Sequence, residues 1–285
     1  MNTNCNKRRV GATALLLAIF MLAPIYSANA QSANDSYGIW ATVEAEKKIN
    51  KKFKVVADAE LRTTNIVKDI ERATIGAKVE YKALKWLKTN VGYSFMYTQK
   101  PETKSLKDPV YDEEGNFVDY EYNIDHAYWT IRNRVYVTAS GEYKIGRFEF
   151  GLRERLQYTH TSSATTNETK YRYDLGEDPL FSIDDNEWIA TTEPEIKEAK
   201  HNLTLRSRLS VKYDIPNCKI NPFASVELYT RLDEWKGYDK LRYRIGGSYK
   251  INKKNSISLY YLYQSVNDDD EPGGHAIGLE YSIDL

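Results

Sequence analysis

Cysteine is scarce in this sequence, which has only Cys5 and Cys218 among its 285 residues. Cys5 falls within an N-terminal segment that we expect to be removed, so the mature chain would keep a single thiol. One thiol cannot form an intramolecular disulfide. An exported protein of this size without a disulfide must be held together in another way. The cysteine count therefore excludes a disulfide framework.

Long apolar runs are also missing, except at residues 10–22. Three basic residues precede that run, and the small-residue sequence ANA, ending at Ala30, follows it. This order predicts a signal peptide over residues 1–30, cleaved near Ala30. A membrane anchor is the alternative, but the run is shorter than the about 20 residues that a spanning helix needs. We therefore expect residues 31–285 to form the mature protein without a transmembrane helix.

The chain has no net charge, with 40 basic and 40 acidic residues. Its mean hydropathy of −0.62 is typical of a soluble protein. Its 23 tyrosines and five tryptophans indicate something else. Aromatic residues at this level are common in β-structure and at membrane interfaces.

Apolar and polar residues alternate along most of the mature chain. In residues 53–62, for example, the odd positions are apolar and most even positions are charged. This period of two predicts a strand with one apolar face. Eleven segments share the pattern, at residues 37–49, 53–64, 72–81, 87–99, 126–143, 148–159, 200–215, 223–232, 241–251, 256–265 and 275–285.

The length of these segments and their connections indicate a membrane barrel. Most segments have ten to sixteen residues, whereas globular strands usually have about five or six and membrane-crossing strands need about nine to eleven. Short, basic connections alternate with longer ones, and copies of Lys-Ile-Asn flank three of the short ones. Short turns at one rim and long loops at the other are typical of outer-membrane barrels. The short connections are residues 50–52, 82–86, 144–147, 216–222 and 252–255, and the largest loops are 100–122 and 160–199.

We therefore predict an all-β fold, a transmembrane antiparallel up-and-down β-barrel over residues 31–285, in the outer membrane of a Gram-negative cell. Eleven segments would start the first strand at the long-loop rim, and bacterial barrels normally have an even strand number. We expect 12 strands, with 10 as the alternative. Asn133 and Glu154 fall in the outward phase, which predicts a β-bulge near them.

Charged residues recur on the inward face of the segments, most often as Arg-x-Arg. A spacing of two places both arginines on one face of a strand. One interpretation is an anion-attracting constriction. The alternative is a lumen closed by interleaved Arg–Glu pairs, because buried charges need partners. The predicted lumen-lining residues are Arg62, Arg72, Arg132, Arg134, Arg153, Arg155, Arg206, Arg208, Arg242, Arg244, Glu44, Asp58, Glu60 and Glu227.

The sequence assembles no catalytic site. His201 and Ser207 share the outward face of one segment, but six residues along a strand span about 20 Å, too far for a hydrogen bond. A cross-strand partner remains open. We predict no enzymatic activity, no cofactor and no metal site, and we keep a lipid-modifying enzyme as a third hypothesis. The acidic long loops are explained by solubility, with divalent-cation bridging to lipopolysaccharide as the alternative.

Three stretches carry a resemblance to a known family: YGIWATVEAEKKINKKFKVVADAELR, HNLTLRSRLSVKYDI and LRYRIGGSYKINKKNSISLYYLYQ. The first joins an early Trp segment to an E-x-R strand, here Glu60 and Arg62, and the last contains R-x-R-x-G-x-x-Y. Over most of its mature length the chain resembles the domain-of-unknown-function 2490 family of predicted outer-membrane β-barrels. The resemblance implies the fold and the location, and it implies no substrate or catalytic residue.

Two main functional hypotheses follow. The first is a porin-like small channel or a binding barrel for anionic or amphipathic solutes. The second is a structural or envelope-interaction barrel with a closed lumen. The expected partners are outer-membrane lipid, lipopolysaccharide and a small anionic solute, with no nucleic acid. The sequence does not fix the oligomeric state.

Overall fold

The computed structural model describes residues 36–111, 115–174, 187–233, 238–267 and 273–285. The predicted signal peptide, residues 1–30, lies outside the described residues. Every regular element in the described ranges is a β-strand, so the all-β prediction is confirmed. None of these residues forms a helix with the length and apolar character needed to cross a membrane.

Eleven strands form one closed barrel, and each pairs with two neighbours. The order around the barrel is β1-β15-β14-β13-β12-β11-β8-β7-β4-β3-β2. The strands are β1 (Ser36–Lys48), β2 (Phe53–Thr64), β3 (Asp69–Lys82), β4 (Leu87–Lys100), β7 (Tyr128–Ile145), β8 (Phe148–Thr161), β11 (Lys200–Tyr213), β12 (Ile220–Arg231), β13 (Tyr238–Lys250), β14 (Asn255–Val266) and β15 (Gly274–Asp284).

The expected number of 12 strands, with 10 as the alternative, is wrong. The barrel has 11 strands, and β1 and β15 pair in parallel, from Ser36 opposite Gly274 to Glu46 opposite Asp284. All other neighbouring pairs in the barrel are antiparallel. An odd number makes the first and last strands run in the same direction, and a parallel ladder then closes the sheet. The eleven alternating segments correspond one to one to these strands.

The predicted β-bulge near Asn133 and Glu154 is also wrong. Pairing of β8 with β7 and with β11 continues through both positions without a register shift. The irregularities in the barrel lie elsewhere, between Arg62 and Thr63 and between Tyr229 and Thr230.

The two faces of the wall differ in chemistry. Large apolar side chains are exposed on the outer face, as shown by Ile75 at 68 % and Val91 at 62 %. Their neighbours in the alternate phase point into the lumen, where Val56 and Met96 are almost fully buried. The alternation therefore gives an apolar exterior and a mixed polar and aromatic interior.

The short connections form one rim, and two of them use the same turn. The Asn50 side-chain oxygen accepts hydrogen bonds from the backbone N–H groups of Lys52 and Phe53, at 2.8 and 2.9 Å. Asn252 accepts in the same way from Lys254 and Asn255, at 2.8 Å each. Asparagine favours such turns because its side chain replaces a backbone acceptor. The third Lys-Ile-Asn copy, at residues 219–221, instead begins β12.

The sequence indicated that the two largest connections are loops. In the structure they contain β-strands. Each forms a hairpin, and the hairpins pair through β6 and β9 into a second, antiparallel sheet of order β10-β9-β6-β5. We refer to these four strands as the outer sheet, since they lie beyond the rim that carries the long connections. They are β5 (Thr103–Tyr111), β6 (Phe117–Asp125), β9 (Ala164–Asp174) and β10 (Glu187–Lys197).

Candidate functional site

Glu227 on β12 forms the centre of a charged cluster in the lumen, with 2 % of its surface exposed. Arg206 on β11 donates from Nη2 to both carboxylate oxygens, at 3.1 and 3.0 Å. Arg153 on β8 donates to Oε1, and Arg242 on β13 places Nη1 3.8 Å from Oε2. The Tyr229 hydroxyl donates to Oε2 at 3.1 Å. One carboxylate is thus shared by three guanidinium groups from three strands, and the cluster is cationic.

Aromatic rings cover the remaining faces of these cations. The Arg62 and Arg242 guanidinium carbons lie 3.7 and 4.8 Å from the Trp40 ring centroid. Arg206 and Arg242 similarly lie 4.5 and 5.1 Å from the Tyr229 ring. Cation–π contacts of this kind stabilise charge where water is scarce.

Apolar packing fills the lumen beside this cluster. Trp40, Tyr260, Leu262 and Ala276 form a buried group. The Tyr260 ring lies directly over Gly278, where an added Cβ would be 1.9 Å from ring atom Cζ. A larger residue at position 278 would therefore displace the ring. Side chains with little exposed surface occupy this level of the barrel.

Toward the short-turn rim, the lumen contains lysine–glutamate pairs in place of the arginine cluster. Lys78 lies 2.8 Å from Glu44, and Lys54 lies 2.7 Å from Glu46 and 3.5 Å from Glu80. Bases and acids are balanced in these contacts. These contacts resemble the predicted interleaved pairing of acids and bases. The excess of positive charge in the lumen therefore lies in the half nearer the outer sheet.

Toward the outer sheet, a cleft of about 50 Å³ opens above Glu227. Such a volume exceeds the about 10–15 Å³ needed by one water and is far below the about 300–1,000 Å³ of pockets for drug-sized ligands. Among the described residues that line it, eight are basic and one, Asp239, is acidic. Arg231 lies 3.5 Å from Asp239. The basic residues are Arg62, Arg72, Arg132, Arg134, Arg206, Arg231, Lys240 and Arg242.

The structure brings six of the fourteen predicted lumen residues to this cleft: Arg62, Arg72, Arg132, Arg134, Arg206 and Arg242. Glu60 contacts the cleft indirectly, because its carboxylate lies 2.7 Å from Arg62. Arg153 and Glu227 lie in the cluster below, where Arg208 pairs in register with Glu227. The remaining four are more distant: Arg155 over Tyr136, Arg244 over Tyr260, Glu44 beside Lys78, and Asp58 against Gly76.

Four basic or aromatic residues that line the cleft or contact its arginines were not predicted. Arg231 and Tyr229 share the phase of Glu227 on β12, and Lys240 precedes Arg242 by two residues on β13. The alternation that selected the other arginines also contained these three. Trp40 is in phase with Glu44 on β1 and lies directly opposite Arg62 on β2, whereas its contact with Arg242 on β13 depends on the curvature of the barrel.

The outer face carries polar pairs within its apolar surface, and one of them includes Ser207. Ser207 donates to Glu154 at 2.6 Å across β11 and β8. His201 instead contacts Tyr158 at 2.5 Å and His160 at 3.3 Å. The sequence left open whether His201 or Ser207 has a cross-strand partner. Ser207 has one, and it is Glu154. Histidine and serine remain six residues apart, so these groups do not assemble into a nucleophile with a histidine base.

The outer sheet contains a group of three carboxylates, Asp125, Glu168 and Glu195, whose oxygens lie within 4.8 Å of one another. The Lys197 ammonium is 2.8 Å from Asp125 and 2.5 Å from Glu195, and Asn123 donates to Glu168 at 2.5 Å. Burial raises the pKa of Asp125, but the hydrogen bond and charge of Lys197 outweigh it and leave that pKa below its usual value. The ammonium thus takes the position that a cation would occupy between Asp125 and Glu195.

The model of a family described as "Protein of unknown function (DUF2490)" matches residues 37–273. No curated protein matches the chain.

Proposed function

We propose a function from the barrel geometry, because the chain belongs to the DUF2490 family, whose description assigns none. The proposal has three parts. The barrel crosses the outer membrane of a Gram-negative cell. Its lumen is closed at the level of Glu227. The cleft above Glu227 binds small anions from the side of the outer sheet.

Membrane placement is supported by the strand lengths and by the outer face. The barrel strands have 11 to 18 residues, and about nine to eleven suffice to cross a bilayer. A closed barrel pairs all its backbone groups internally, as a bilayer requires. Its exterior exposes Ile75, Val91, Leu209 and Leu259 at 58–68 %. A water-soluble protein rarely exposes a continuous apolar surface of this kind.

Closure of the lumen is supported by side-chain packing. Glu227 and Leu262 retain 2 % and 1 % of their surface, and Met96 on the opposite wall retains 1 %. A hydrated ion would have to separate the arginines from Glu227 to pass this level. Breaking a buried pair by removing one partner costs about 3–5 kcal/mol. We therefore favour a binding barrel over a channel.

The single observation that carries the binding proposal is the composition of the cleft, with eight basic side chains and one acidic side chain. Guanidinium groups present planar pairs of N–H donors that match carboxylate and phosphate oxygens. Arg72 and Arg132 keep only 3 % and 6 % of their surface exposed, so these donors act in a medium where charges interact more strongly than in bulk water. The volume of about 50 Å³ selects anions of the size of acetate or inorganic phosphate.

Titration calorimetry on the refolded barrel in detergent tests the proposal, with inorganic phosphate and acetate as probes. We expect binding by the wild type, and about ten-fold or more weaker binding by Arg132→Gln, since a hydrogen bond to a charged group contributes about 1.5–3 kcal/mol. Arg244→Gln is the matched control, because Arg244 is an inward arginine that does not line the cleft. Absence of binding by the folded wild type, or equal losses in both variants, would contradict the proposal.

A further inference from the structure

The rim formed by the short turns is strongly basic. Every one of the five short turns contributes exposed lysine or arginine. We call this set the basic rim, and it comprises Lys47, Lys48, Lys51, Lys52, Lys82, Lys85, Lys144, Arg147, Lys219, Lys250, Lys253 and Lys254.

Acidic residues at the same end are fewer and are mostly paired. Asp284 lies 2.7 Å from Lys48, and Glu149 lies 2.9 Å from Lys144. Glu46, Glu80 and Glu142 pair with lysines that are half-buried and outside the basic rim. Ten of its twelve members thus have no carboxylate within 4.0 Å among the residues that the structure describes. Their charge is directed to the surroundings of the barrel.

Aromatic side chains form a band immediately above the basic rim on the outer face. The ring centroids of Phe53 and Tyr81 lie 5.0 Å apart, and those of Phe148 and Tyr213 lie 4.9 Å apart. Trp86, in the β3–β4 turn, is 56 % exposed. Aromatic residues of this kind mark the headgroup level of a bilayer. The basic rim then lies at the depth of the lipid phosphates.

We propose that the basic rim binds the headgroups of anionic phospholipids in the leaflet that faces the short turns. This inference rests on the membrane placement proposed above. The unpaired bases occur in all five turns and so surround the barrel, as lipid does, whereas a protein partner would need them in one sector. Each lysine near an anionic surface strengthens attraction by about five-fold, and the effect fades beyond a Debye length.

Native mass spectrometry of the barrel, in micelles with equimolar phosphatidylglycerol and phosphatidylethanolamine, tests the inference. We expect the wild type to retain phosphatidylglycerol at least five-fold over phosphatidylethanolamine. Four Lys→Gln substitutions in two turns, at Lys51, Lys52, Lys253 and Lys254, should reduce the preference, while eight members of the basic rim remain. The matched control makes the same change in charge at the other end of the molecule, at Lys68, Lys104, Lys107 and Lys200.

The outcomes separate the two proposals. A barrel that folds in micelles but retains both lipids equally overturns the inference and leaves an acidic protein as the occupant of the basic rim. An equal reduction of the preference in both quadruple variants also overturns it, because the effect would then follow net charge and not position. A chain that is folded only without detergent or lipid would overturn the membrane placement itself.

Discussion

Replacing Glu227 by alanine tests the closed arginine cluster at its centre. The substitution removes an acetate-sized group and leaves Arg153, Arg206 and Arg242 facing one another in a buried space. Removing one partner of a buried ion pair costs about 3–5 kcal/mol. Glu44→Ala is the matched control, because Glu44 is a partly exposed inward acid with one lysine partner. We expect that control to cost about 1 kcal/mol or less.

The assay is equilibrium urea unfolding in detergent, followed by tryptophan fluorescence and by the heat-dependent gel mobility of folded barrels. Acetate should restore stability to Glu227→Ala, because it can occupy the vacated space between the arginines. At a concentration 100 times its Kd, a ligand stabilises the folded state by about 2.7 kcal/mol. Glu227→Gln keeps the shape of the side chain, fills that space, and should gain no stability from acetate.

Two results would refute this reasoning. The first is a Glu227→Ala protein within about 1 kcal/mol of the wild type, since a buried carboxylate shared by three arginines should cost more to remove. The second is an equal effect of acetate and of chloride at the same ionic strength. If the alanine variant does not refold, acetate added during refolding should raise its yield above that obtained with chloride.

Three further predictions concern other parts of the molecule. Because Lys197 holds the pKa of Asp125 below its usual value, the stability that this pair gives the outer sheet should be present above about pH 4 and lost as the pH falls below it. Asp125→Asn should remove this pH dependence, which hydrogen exchange of β6 and β10 would measure. An unchanged pH profile in that variant would contradict the prediction. Gly278→Val should destabilise the barrel by about 1–3 kcal/mol through its clash with the Tyr260 ring, measured by urea unfolding, and a neutral effect would contradict the packing. Ile75→Lys on the outer face should cost about 2–4 kcal/mol in a bilayer, and a neutral effect on unfolding from vesicles would argue against lipid contact at this position.

The strands of the barrel could be predicted because each has one apolar face on the exterior and one face that points into the lumen. The alternation in residues 53–62 follows directly from that requirement, and β2 begins at Phe53 and ends at Thr64, as the pattern indicates. The strand number could not be predicted in the same way. The pairing of β1 with β15 joins residues more than 230 positions apart, and no local pattern in the sequence indicates it. The prediction of 12 strands relied instead on the even strand numbers of other bacterial barrels.

The outer sheet was missed because its strands lack a single apolar face. Residues 164–170, at the start of β9, read ATTNETK, with no alternation of apolar and polar residues to mark a strand. Pairing across β6 and β9 forms the sheet. Local sequence therefore gave no signal for two hairpins that depend on each other.

The site was predicted in its composition and not in its arrangement. The phase of Arg206 and Arg242 placed both on the inward face, but the convergence of β8, β11 and β13 on Glu227 depends on the strand order and register, which place Arg242 directly opposite Glu227. Lys240 carries the same phase as Arg242 and also lines the cleft. Its role emerges only when the outer end of the lumen is seen to be basic as a whole.

Conductance of the refolded protein in a planar bilayer tests the central claim most directly. The proposed closure of the lumen at Glu227 predicts a silent membrane under applied voltage in potassium chloride, in the presence or absence of phosphate. Protein incorporation must be verified in the same membrane by its protected, heat-modifiable band. Reproducible anion-selective current steps from the wild-type barrel would contradict the account, since ions would then pass the level at which Glu227 and its arginines close the lumen.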